Sequence, residues 1–160
     1  MKKKFLPFIF GLILGVIMTG ILAWIIIPGL ILNVYRSTLN FEETVSAINE
    51  SVLERGWKVP KIYDIQKSLQ SAGHLDMTKV KIISVCQPHQ AYEMLMDDEN
   101  KKVTAIMPCR IGVYEAEHGD VFISKMNIRL MSKIFGGKIA KVMSKVADGE
   151  SEMLKGIIAE

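Results

Sequence analysis

The chain has 160 residues and a formal net charge of +3, from 20 basic and 17 acidic side chains. Lys2, Lys3 and Lys4 account for that whole excess, so the remainder is formally neutral. A neutral body argues against nucleic acid as a partner, whose affinity comes largely from surplus Lys and Arg meeting phosphates.

Phe5 to Leu32 carries no charge, and the next charged residue is Arg36. A bilayer core needs about 20 apolar residues as helix, so the run is long enough to span. A cleaved secretory signal has an apolar region of about 7–15 residues ending in small residues. This run is about twice that length and no A-x-A pattern ends it, which favours an uncleaved signal-anchor. The expected organisation is a cytoplasmic basic tip at 1–4, a transmembrane helix at 5–32 and a soluble domain at 33–160. Lys2–Lys4 on the short side place the N-terminus in the cytoplasm, giving a single-pass protein of the cell membrane with its domain outside. Gly11 and Gly15 form a G-x-x-x-G through which two spans can approach closely. Trp24 and Tyr35 suit an interfacial belt at the outer end.

Beyond the span, Asn33–Thr38 reads as a short strand or connector. Asn40 is placed to cap a helix from Phe41 to about Arg55, with Phe41, Val45, Ile48 and Val52 at helical spacing and Gly56 at its end. Trp57–Ile65, interrupted by Pro60, suits an edge strand. Asp64 can cap a short helix through Ala72, stopped by Gly73. Lys79–Cys86, rich in β-branched residues, is predicted as a strand, and Pro88 opens a helix to about Asp97. Lys102–Glu115 and Asp120–Met126 are predicted strands joined by a turn at Gly119. In the first of them Val103, Ala105, Met107, Cys109, Ile111 and Val113 fall on one face. From Asn127 onward the pattern is helical, with Met131, Phe135, Ile139, Val142 and Val146 on one side and a weak point at Gly136-Gly137. The fold class expected is α+β, a mostly antiparallel sheet with helices packed on one face.

Cys86 and Cys109 carry the evident chemistry. Outside the cytoplasm such a pair can form a structural disulfide, or both thiols can simply be buried. Alternatively, Cys86 just ahead of Gln87-Pro88 stands at a helix start, where the dipole favours thiolate, and Cys109 could resolve it. A third reading is a soft-metal site from Cys86, Cys109 and Met107, with His89 as a further candidate ligand. His89 follows Pro88 and is close enough in sequence for a thiol–imidazole pair. His74, His118 and the run Asp97-Asp98-Glu99 read as solvated. Lys125–Lys145 holds six basic residues and no acid, a face that can press on anionic headgroups or simply be solvated. No G-x-x-x-x-G-K-[ST], G-x-G-x-x-G or G-x-S-x-G motif is present, and no cofactor is implied.

One stretch, VCQPHQAYEMLMDDENKKVTAIMPCRIGVYEAEHGDVFISKMN, resembles a known family, the uncharacterised "domain of unknown function" family number three-hundred-and-two. The similarity runs from the Phe41–Gly56 helix with its Gly56-Trp57 ending, through Cys86-x-Pro88 and Met107-Pro108-Cys109-Arg110. It continues through Val113-Tyr114-Glu115, Gly119 and Asn127 into the closing helix. The resemblance implies a small α+β fold that tends to pair as dimers, and no activity, cofactor or catalytic residue. Its C-x-P and P-C-R elements fall on Cys86, Pro88, Pro108, Cys109 and Arg110. The expected function is a membrane-anchored accessory or binding domain, self-associating, with an unknown small-molecule or metal ligand. The rivals are a thiol-based redox or sulfur-handling protein and a soft-metal binder.

Overall fold

The structure is a computed structural model that describes residues 5–159. Lys2–Lys4, on which the expected orientation rests, lie outside them. Phe5–Ile31 forms a single helix, α1, with Pro28 inside it. Its Ile9–Ile31 portion is long and apolar enough to cross a membrane, and none of it is buried by the rest of the chain. Gly11 and Gly15 lie on this helix with open space where a Cβ would stand.

The chain passes from Ile31 directly into strand β1 (Leu32–Arg36). With β2 (Ile62–Asp64), β3 (Val80–Val85), β4 (Cys109–Glu115) and β5 (Val121–Met126) it forms a five-stranded antiparallel sheet in the order β1-β5-β4-β3-β2. The helices are α2 (Phe41–Glu54), α3 (Ile65–Ser71), α4 (Pro88–Leu95), α5 (Ile128–Phe135) and α6 (Gly137–Met153). The α+β class holds.

Alternation along the strands puts Ile83, Val85, Ile111, Val113, Val121 and Ile123 on one face. There they form a core with Phe41, Ile48 and Val52 of α2, Met153 of α6, Trp57 and Leu154. Asn40 caps α2 as its sequence predicts, in a reciprocal box with Glu43. A glycine at position 149 of α6 lets the Trp57 ring lie against that helix, since a Cβ there would meet the ring at 2.5 Å. A second cluster joins Met94 of α4, Val103, Ile128 of α5, and Ile139, Val142, Met143 and Ala147 of α6.

Two expectations need correction. Residues 102–108 are not strand: Asp98–Ile106 is a 3₁₀ stretch, and the strand starts at Cys109. Pro108 has no N–H to give a ladder, so pairing cannot run back through it. Only Cys109, Ile111 and Val113 of the expected stripe therefore share a strand face. The Gly136-Gly137 weak point is a full break: Gly136, at φ 68° and ψ −179°, ends α5 and starts α6 in a conformation nearly confined to glycine.

Candidate ligand cavity at the end of the sheet

β3 and β5 finish, and β1 and β4 begin, at the same end of the sheet. A cavity of about 490 Å³ opens there. Its walls come from α4 (Ala91, Met94), the 3₁₀ stretch (Val103, Ile106) and α6 (Val142, Met143). It extends onto the outer sheet face past Gly112 and Ser124. Gly112 keeps that face open, since a Cβ there would come within 2.7 Å of Ser124 Oγ and make that hydroxyl turn away.

Few polar groups reach this apolar space. Lys125 and Glu150 line it as an ion pair at 3.1 Å, with side chains 8% and 1% exposed. Burial lifts the Glu150 carboxyl above the usual carboxylate range, outweighing the opposing pull of Lys125. Cys109 also lines the cavity. Burial, followed by the Glu150 charge, pushes its thiol up to about 12. Cys86 lines it too, and burial raises that thiol as well. Gln90, whose backbone N–H is capped by Gln87 Oε1 at 2.6 Å, contributes an Oε1 that is shielded from solvent without a hydrogen-bond partner.

Among the sequence-predicted site residues, the structure brings Cys86, Met107, Cys109 and Arg110 to this one cavity. Pro88 and His89 open α4 but are exposed and do not line it. Both cysteines are free. The register explains why they are not bridged: Cys109 is opposite Val85, so alternation turns Cys86, the next residue, to the other side of the pleat. Nor does the helix start activate Cys86, because its thiol is raised by burial instead of lowered. Among the described residues, no group of three or more His, Cys, Asp and Glu side chains is placed to hold a metal ion.

Lys125, Glu150 and Gln90 were missed from sequence. For two of them a signal exists: Lys125 falls in the inward series Val121, Ile123, Lys125, and Glu150 falls on the apolar face of α6 with Met143, Val146 and Met153. A charge at a core position of each partner marks a buried pair.

The comparisons with known proteins bear on the fold. The family model "Domain of unknown function DUF302" matches residues 33–160. The chain belongs to the DUF302 family. A solved structure, "Crystal structure of uncharacterized conserved protein DUF302 from Bacillus stearothermophilus", superimposes with a TM-score of 0.69 at 21% identity, covering 78% of this chain and 96% of that one. At that identity the likeness shows the DUF302 fold. No curated protein matches the chain.

Proposed function

We propose that this DUF302 chain is a membrane-tethered binding domain for a small, largely apolar molecule held in the cavity at the end of the sheet. The observation that carries it is the cavity itself: about 490 Å³, apolar walls, and a few converging polar groups. Small-molecule sites have this size and make-up. α1 supplies the tether, by its length and apolar composition. The thiol and soft-metal readings find less support, since both thiols are held protonated by burial and Cys109 faces a carboxylate.

The chain has two tryptophans, Trp24 on α1 and Trp57 on the cavity wall. In a Trp24→Phe background, the apolar fluorophore N-phenyl-1-naphthylamine should quench Trp57 saturably at one equivalent. Ala91→Phe, which fills the cavity, should abolish the saturable part while the far-UV dichroism stays native. Unsaturable quenching, equal in both proteins, would remove the cavity reading. Stoichiometric Cu(I) uptake that disappears in Cys86→Ser would put the metal reading in its place.

Self-association draws support from the outer sheet face, part of which also lines the cavity. The outer sheet face carries Val34, 52% exposed, with Tyr114 stacked on Phe122 at 5.5 Å and Ile82 beside them. A contiguous apolar sheet face left open is a usual interface for a second copy. Light scattering of the detergent-solubilised chain should give a dimer mass that Val34→Lys shifts toward monomer. A monomer at all concentrations would refute this.

A further inference from the structure

The cavity walls that lie next to α1 bear on where the ligand comes from. Leu32, the first residue after α1, lines the cavity. Met126 and Ile128 line it on the neighbouring strand and helix. Between those two, Asn127 fastens the end of α1. Its backbone N–H donates to the Ile31 carbonyl at 2.7 Å, and its Nδ2 donates to the Leu30 carbonyl at 3.0 Å. The same side chain caps α5 by accepting from Leu130 N–H at 3.0 Å. Three cavity residues thus surround the point where the apolar helix leaves its last turn.

α5 fits a position at a bilayer surface. On a helical projection Leu130, Met131, Ile134 and Phe135 occupy one arc, Arg129 and Lys133 lie opposite, and Ser132 between them is buried against Ser144 of α6. Ile134 is 69% exposed and Phe135 38% exposed, so part of the apolar arc has no cover within the chain. An amphipathic helix lying in the headgroup region buries such an arc and keeps its cations in water. Anchored at Asn127, α5 starts where α1 ends.

We infer that the cavity is loaded laterally from the membrane, and that its ligand is a single-chain lipid carrying a hydroxyl-type hydrogen-bond donor. This rests on the reading of α1 as a span and of the cavity as a ligand site. The apolar walls suit the chain. Gln90 is half-buried on the cavity wall, and its solvent-shielded Oε1 is an acceptor that a ligand hydroxyl can pair with. A long-chain alcohol satisfies both requirements.

The test uses the full chain in phospholipid vesicles doped with a diazirine-bearing hexadecanol, with labelled positions read by mass spectrometry. Label is expected on residues of α4 and α6 that line the cavity. A diazirine alkane of equal length should label them about three- to tenfold less, the range one hydrogen bond supports. In Gln90→Leu that preference should vanish. Ile134→Asp, on the apolar arc of α5 at a position 69% exposed and outside the cavity lining, should cut cavity labelling by the membrane-dissolved alcohol while leaving that by a short, water-soluble diazirine alcohol. If the short alcohol labels the cavity and the membrane-dissolved one does not, the lateral route fails and the cavity reading stands. If neither labels it while the chain floats with the vesicles, the cavity reading fails as well and the tether stands. Equal labelling by alcohol and alkane overturns the donor requirement.

Discussion

At the residue scale the chemistry centres on Cys109, Glu150 and Lys125. Burying an ion pair is unfavourable unless geometry and hydrogen bonds compensate, so such a pair at a cavity wall favours a defined site over bulk stability. The same burial decides the thiol chemistry. Cys109 has its thiol pushed up from 9.0 to about 12 in the folded chain. A group raised on folding stabilises the fold fully below its unfolded value and loses that contribution as pH rises through its folded value. The Cys109 contribution should therefore be present below about pH 9 and disappear between about pH 9 and 12. Urea midpoints of wild type and Cys109→Ala should converge over that window, and a gap that widens toward high pH would contradict the assignment. Iodoacetamide at pH 8 should modify Cys86 more slowly than a free thiol and Cys109 more slowly still. Neither residue's reactivity was legible in the sequence. A cysteine next to a helix-opening proline reads as activated, and only the packing shows that burial outweighs the dipole there.

Among elements, what local signals define was readable and what tertiary packing defines was not. The Asn40 cap with Glu43 and the Asp64 cap satisfy orphan N–H groups within a few residues, and Pro88 at the start of α4 removes one, so all three are visible in short windows. Alternation found β3 and β5 and the inward side of β4. It failed at residues 102–108 because an every-second-residue apolar pattern also fits a 3₁₀ stretch that buries only Val103. Pro108 was the available clue, since it bars ladder pairing at the point where the strand was extended. The cavity was legible only through Cys86, Met107, Cys109 and Arg110. Its walls come from α4, the 3₁₀ stretch and α6, and their convergence depends on the sheet order. No spacing within one segment encodes that order.

On the scale of the whole molecule, charge and architecture converge on one end of the sheet. With the three N-terminal lysines set aside the body is neutral, so the chain's basicity belongs with the apolar helix and not with a binding face. The positive-inside rule weighs Lys and Arg in short flanking segments, and here Lys2–Lys4 oppose Arg36 alone. On the proposed reading of α1 as a span, these lysines would put the domain away from the cytoplasm, with the cavity walls at Leu32 and Ile128 next to the outer leaflet. A cysteine placed at the exposed Gly119 turn, in a Cys86→Ser, Cys109→Ser background, should react with a membrane-impermeant maleimide on intact cells. Replacing Lys2–Lys4 by Asn and adding three lysines to the 37–40 segment should reverse the bias and protect that cysteine until the cells are permeabilised. Protection of the unaltered N-terminus version would place the domain inside, with the cavity next to the inner leaflet. Release of a shortened, freely soluble chain would identify the helix as a cleaved signal, and would leave the cavity without its direct route from the bilayer.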